Sequence, residues 1–292
     1  MTPLVIEHLC RDVPHGFLGR KLRLLNDLSF EVGAGQTVGF VGRNGAGKTT
    51  TIRTIVGLSK PTSGKVQVYG GLPSDANIRR QVGYLPESVL LPGSLTVVEV
   101  LRLHASLAGV GVDERASLLE VDLLDVRNRL VRDLSKGMQT RLGLALVFLP
   151  KPKLLVLDEP MSGLDPVGRE LVRDLLRRNA SEGVSTLFSS HVLSDVEALS
   201  DRVVVIEQGT IVHQGPVAVA AEAATRWEIL TLPPAGLSVA GMPKEAGLVI
   251  FEHVGDGLAA AVDLRTRGHD VRIVRPANLS LESRIREILS KQ

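Results

Sequence analysis

Gly42-Arg43-Asn44-Gly45-Ala46-Gly47-Lys48-Thr49 follows the apolar run Thr37 to Val41 and leads into a helical pattern from Thr50 to Val56. A strand feeding a glycine loop that opens a helix is the setting the G-x-x-x-x-G-K-[ST] phosphate loop requires, because glycines let successive backbone N–H groups converge on phosphate oxygens. The helix start adds a partial positive charge. Lys48 is suited to reach the outer phosphates as a point charge, and the Thr49 hydroxyl to ligate a magnesium ion that also touches them. Thr50 continues the loop into the helix. The alternative, a plain glycine-rich turn, leaves the Lys-Thr pair without a purpose.

The 292 residues, 44% of them hydrophobic, suffice for one large domain and a small one. A net charge of +2 argues against a nucleic-acid scaffold, so no nucleic-acid partner is expected. Cys10 is the one cysteine, which excludes an internal disulfide and suits a reducing compartment; a small buried hydrophobe is its expected role. Met1-Thr2-Pro3-Leu4 carries no basic and apolar leader, and no window approaches the roughly 18 apolar residues of a membrane span. A cytoplasmic location is expected, with any membrane connection made through a partner.

Leu4 to Leu9, Leu28 to Val32 and Lys65 to Tyr69 have strand character, which places an antiparallel β piece beside the loop. Phe17 precedes the loop in the chain. An aromatic there suits stacking on an adenine ring, and ordinary packing is the other reading. Glu87 follows Pro86 in a loop ahead of helical patterns over Leu95 to Leu107 and Val112 to Leu130.

Ser135-Lys136-Gly137-Met138-Gln139 opens a further helical run, Thr140 to Leu149, with Ser135 as the N-cap. Free amides at that start make a second anion site, although capping alone also accounts for the serine. Leu154 to Leu157 is a continuous apolar strand ending in Asp158-Glu159, as expected of a central parallel strand. Acids at the carboxyl end of such a strand face the ligand edge of an open α/β sheet. Asp158 is thus suited to hold magnesium and Glu159 to polarise an attacking water; capping the next segment is the alternative. Ser162-Gly163-Leu164-Asp165-Pro166 is a turn before the amphipathic helix Val167 to Arg178. The strand Val184 to Phe188 then leads to Ser189-Ser190-His191, where His191 suits a γ-phosphate contact at the same edge.

Together the phosphate loop, Leu134 to Gln139, Leu154 to Glu159, Ser162 to Pro166 and His191 resemble an ATP-binding cassette (ABC) ATPase in order and spacing, over about residues 4 to 216. The resemblance implies an α/β P-loop (RecA-like) ATPase core with an antiparallel β subdomain and a helical subdomain. It implies ATP and Mg2+ as cofactors, bound by Gly42, Arg43, Asn44, Gly45, Ala46, Gly47, Lys48, Thr49 and Thr50, with the metal on Thr49, Glu87 and Asp158. It further implies a homodimer, or a pairing with a second ABC ATPase, arranged head to tail. Ser135, Lys136, Gly137 and Met138 of one subunit would then face the ATP of the other, with Asp165 at the seam. Separate multispanning membrane subunits would receive the motion, leaving this chain peripheral on the inner face of the cell membrane.

Lys136 and Met138 stand where the family commonly has glycine and glutamine, and Glu87 where it has glutamine. These variants resemble the type-2 exporter branch, and Gly83 to Glu87 more loosely resembles the ATPase of copper-site maturation transporters. A soluble ABC-type ATPase that remodels a non-membrane partner is the alternative, yet such proteins resemble tandem cassettes or cassettes split by a coiled coil. A P-loop kinase or GTPase would leave Ser135 to Gln139 unexplained. Residues 217–292, after the turn Gln214-Gly215-Pro216, balance Lys and Arg against Asp and Glu. Strands over Trp227 to Leu232, Gly247 to Phe251 and Val271 to Val274 and a helix over Leu281 to Leu289 predict a small α+β accessory domain there.

Overall fold

A computed structural model describes residues 1–15, 20–217, 226–232, 249–254 and 257–276. Contacts divide the chain into two compact units, Met1–Pro216 and Val217–Gln292.

The first unit is built on strands β1 (Leu4–His15), β2 (Arg20–Val32), β3 (Thr37–Val41), β4 (Ser63–Val68), β5 (Val82–Leu85), β6 (Leu154–Leu157), β7 (Ser185–Ser190), β8 (Arg202–Glu207) and β9 (Thr210–Pro216). Its helices are α1 (Lys48–Ile55), α2 (Ala76–Arg79), α3 (Val97–Ala108), α4 (Glu114–Glu120), α5 (Lys136–Phe148), α6 (Pro166–Ser181) and α7 (Leu193–Leu199). One sheet has the order β5-β6-β7-β3-β8-β9, and all its pairings are parallel except β8 with β9. Every residue of β3, β6 and β7 is buried, which explains their apolar runs: helices cover both faces of a parallel sheet.

A second sheet, β2-β1-β4, is antiparallel and packs on the first through a shared core that includes Leu4, Ile6, Phe30, Phe40, Ile52 and Leu187. Phe30 of β2 stacks on Phe40 of β3 with ring centroids 5.5 Å apart. A separate core, with Val97, Leu101, Leu118, Leu142 and Leu175 among its residues, holds α3, α4 and α5 together and reaches α6. The α/β core thus carries both an antiparallel β layer and a helical layer.

Helix α3 starts on a reciprocal cap. The Thr96 hydroxyl oxygen accepts the Glu99 N–H at 3.4 Å, and the Glu99 carboxylate accepts the Thr96 N–H at 2.8 Å. Such caps satisfy orphan amides at a helix start. Thr96→Ala is expected to lower stability by about 1 kcal/mol, read as a shifted urea midpoint with an unchanged slope.

Several elements differ from the sequence reading. The helix expected over Val112 to Leu130 ends at Glu120, because Asp122 turns into the left-handed region (φ 54°); two short 3-10 turns, Leu124–Val126 and Val131–Asp133, follow. Strand β2 begins at Arg20 rather than Leu28, since β1 pairs with it as far as His15↔Arg20. Across the hairpin Arg23 Nε donates to Asp12 at 2.9 Å, and Asp27 Oδ1 lies 2.7 Å from His8 Nδ1. Cys10 is half-buried rather than fully buried, and its Sγ accepts the Asp27 N–H at 3.3 Å.

The second unit holds β10 (Arg226–Leu232), β11 (Val249–Val254), α8 (Gly257–Thr266) and β12 (Asp270–Pro276). The strands form an antiparallel sheet of order β11-β10-β12. Helix α8 has no counterpart in the sequence reading. Phe17 and the helix expected over Leu281 to Leu289 lie outside the described residues.

Candidate nucleotide site

Parallel register brings the expected residues to one edge. Val41 lies opposite Ser190, and Leu157 lies opposite both Leu85 and Phe188, so the loops after β3, β5, β6 and β7 leave the sheet on the same side. That is where an open α/β sheet takes a ligand.

The glycine loop is set by two close approaches. A Cβ on Gly42 would collide with the Ile206 carbonyl oxygen, and Gly47 adopts φ +113°, where a Cβ would also lie 2.8 Å from Leu25 Cδ2. Neither position accepts a side chain without strain. Gly47 is the N-cap of α1 and makes no side-chain cap bond, so the first-turn amides have no side-chain acceptor. Lys48 is 93% buried in side-chain terms (7% exposed) and its ammonium donates to the Gly42 carbonyl at 2.6 Å.

Opposite the loop stand the two acids. Asp158 is buried; its Oδ1 accepts from the Ser189 hydroxyl at 2.7 Å, while its buried Oδ2 has no hydrogen-bond partner. Burial, with the Asp158 charge adding to it, raises the nearby Tyr84 phenol above its ordinary value and keeps it neutral. Glu159 has φ +51°, a left-handed conformation uncommon outside glycine. Its Oε2 lies 2.7 Å from His191 Nδ1, and its Oε1 lies 3.3 Å from Lys48 Nζ as an ion pair without hydrogen-bond geometry. Loop residues, Glu159 and His191 line a cleft of about 550 Å³, while Gly42 and the buried Asp158 do not reach its wall.

Arg43, Asn44, Gly45, Gly47, Lys48, Thr49, Thr50, Glu87, Glu159 and His191 line this cleft, and Leu24 and Ser162 join them without having been singled out in the sequence. Ala46 is buried beneath the loop. Ser135, Lys136, Gly137, Met138 and Asp165 do not line it. Ser135 Oγ caps α5 by accepting the Met138 N–H at 3.2 Å, and Gly137 packs on the Ser162 to Asp165 turn, where a Cβ would sit 3.1 Å from Leu164 Cδ2. Asp165 caps α6 by accepting the Gly168 N–H at 2.9 Å.

The donor set fits a phosphate group and a hard cation. The buried, unpartnered Asp158 Oδ2, the Thr49 hydroxyl and the exposed Glu87 carboxylate are oxygen donors of the kind magnesium takes. Among the described residues no group of three or more His, Cys, Asp or Glu side chains is arranged to hold a metal by itself. A cation here therefore needs the hydroxyl and the ligand's own phosphate oxygens.

A glycine loop on a helix N-terminus, a buried lysine and paired acids at one sheet edge define a P-loop nucleotide-binding site. The family model for ABC transporter matches residues 25–162, and the chain belongs to this family. It is 34% identical over 193 residues to a lantibiotic transport ATP-binding protein, SrtF, of Streptococcus pyogenes, covering 66% of this chain and 84% of that one. The bacitracin transport ATP-binding protein BcrA of Bacillus licheniformis is 40% identical over 199 residues, covering 66% of this chain and 64% of its own. A solved structure of an ATP-binding subunit of an ABC transporter superposes with a TM-score of 0.67 at 31% identity, over 76% of this chain and 93% of that one. The chain spans about six tenths of the length of the first curated relatives it matches.

Proposed function

We propose that the chain binds and hydrolyses ATP with Mg2+ and drives separate multispanning membrane subunits, in the direction of export. The observation that carries this reading is the convergence of Lys48, Thr49, Glu159 and His191 on one cleft at the carboxyl edge of the parallel sheet, with the buried Asp158 directly preceding Glu159. The loop amides and Lys48 hold the phosphates, for which the ammonium exchanges the Gly42 carbonyl for phosphate oxygen. Thr49, Asp158 and Glu87 hold Mg2+, which supplies charge neutralisation on the phosphates when bound. Glu159 orients water against the γ-phosphate, and His191 fixes the Glu159 carboxylate at 2.7 Å while facing the outer phosphate.

Ser135, Lys136, Gly137 and Met138 start a helix outside their own subunit's cleft, and Ser135 and Lys136 are exposed. This supports a head-to-tail dimer in which that helix start completes the partner's site and Asp165 lies at the seam. Residues 1–216 then contain the nucleotide machinery, and 217–292 act as an accessory domain with a regulatory or dimer-contact role. No described helix is long and apolar enough to cross a membrane. The variant signature and the transport ATP-binding relatives favour the exporter reading.

Ser135→Arg and Lys48→Ala subunits are each expected to be inactive alone and to regain activity when mixed, because one heterodimer site is then intact. ATPase assays across mixing ratios, with thermal melts of both variants, decide this; folded subunits that stay inactive at every ratio rule out sharing. Copurification with a multispanning membrane protein tests the transport reading.

A further inference from the structure

Ser189, on β7, is fully buried, and one hydroxyl does two jobs. It donates to Asp158 Oδ1 at 2.7 Å and accepts the Glu159 N–H at 2.8 Å. Among the described residues no other hydroxyl bonds either acid. The neighbouring Ser190 hydroxyl is committed to the Val192 backbone, at 3.0 and 3.2 Å, and cannot substitute.

Each bond has a geometric consequence. Occupying Oδ1 fixes the Asp158 carboxylate about its terminal torsion, which is otherwise broad, and leaves Oδ2 as its free oxygen. Accepting the Glu159 N–H holds the Asp158–Glu159 peptide in the orientation that the left-handed φ of +51° demands. An unsupported left-handed residue relaxes toward the broad β or right-handed regions, and relaxation here would carry the Glu159 carboxylate away from Lys48 and His191.

We propose that Ser189 is the positioning residue of the site, a single buried hydroxyl that aligns the metal-side carboxylate of Asp158 and the water-side carboxylate of Glu159 on each other. It touches neither nucleotide nor water and acts through the two acids. The inference rests on the roles assigned above to Asp158 and Glu159.

The test compares full-length wild type, Ser189→Ala and Ser189→Cys. Cysteine keeps a side chain of similar shape but is a weak donor and acceptor. Three quantities are read: binding of a fluorescent ATP analogue in EDTA, the Mg2+ concentration that half-saturates the metal-dependent change in that binding, and kcat and KM for ATP. Both variants are expected to bind the metal-free nucleotide as wild type does, to need several-fold more Mg2+, and to lose on the order of ten-fold in kcat, the size of effect of one lost hydrogen bond to a charged acceptor. Wild-type Mg2+ half-saturation and kcat in either variant overturn the proposal, the cysteine result by showing that shape rather than the hydroxyl matters. Should Ser189→Ala fail to melt cooperatively, Ser189→Cys carries the same readings. A wild-type protein with no Mg2+-dependent binding overturns the site reading itself, a result separable from any variant's.

Discussion

Glu159→Gln is expected to bind ATP with near wild-type affinity and to turn it over about 10²- to 10⁴-fold more slowly. The substitution keeps the size of the side chain and its contact with His191, and it removes the charge that faces Lys48 at 3.3 Å and would draw a proton from water. In the proposed site the loop amides and Lys48, not Glu159, hold the phosphates, so affinity is expected to stand. Lys48→Ala is the contrasting variant, with weakened binding. Nucleotide titration and phosphate release on both decide the matter; wild-type hydrolysis by Glu159→Gln would remove Glu159 from its role.

Asp195→Ala is expected to be the most destabilising single change outside the cleft. Asp195, on α7 just after His191, is buried and receives two arginines of α6, Arg173 at 2.6 Å and Arg169 at 2.9 Å. The hydrogen bond that Arg173 donates to Asp195, more than any other cause, raises the Arg173 guanidinium above its ordinary value. Removing one partner of a buried charge cluster costs about 3–5 kcal/mol, and because both guanidiniums keep some water contact, about 3 kcal/mol is the apt figure. For a unit of this size that is roughly 6–12 °C in melting temperature. A calorimetric shift below about 2 °C would contradict it. Turnover should fall as well, because the cluster ties the helix after Asp165 to the helix after His191.

The cleft was legible in the sequence where chemistry sits next to its structural context. Gly42 to Thr50 between an apolar strand and a helix, and Asp158-Glu159 ending a buried strand, announce themselves because strand, loop and helix are neighbours in the chain. Ser189 and Asp195 were not legible. Their partners lie 22 to 31 residues earlier in the chain, and serine and aspartate have no local periodicity that distinguishes these copies from solvated ones. Boundaries failed for a related reason. Asp122 stops a helix by a backbone conformation that apolar spacing over Val112 to Leu130 cannot report, and Arg20, Lys21 and Arg23 of β2 concealed the long hairpin. Helix α8 has a flat pattern around Ala259-Ala260-Ala261, so propensity rather than periodicity was its one signal.

The strand order has a consequence for how the protein is made. Strand β3, which ends at the phosphate loop, is flanked by β7 and β8, so both its neighbours are translated ~140 or more residues after it. At about 5–20 residues per second, roughly 7–30 s pass on the ribosome before Val41 can pair with Ser190. During that interval the apolar strand Thr37 to Val41 waits unpaired, with the antiparallel sheet as the first layer complete and able to shelter Phe40 against Phe30. Nascent chains therefore acquire a competent nucleotide pocket only near the end of this unit's synthesis.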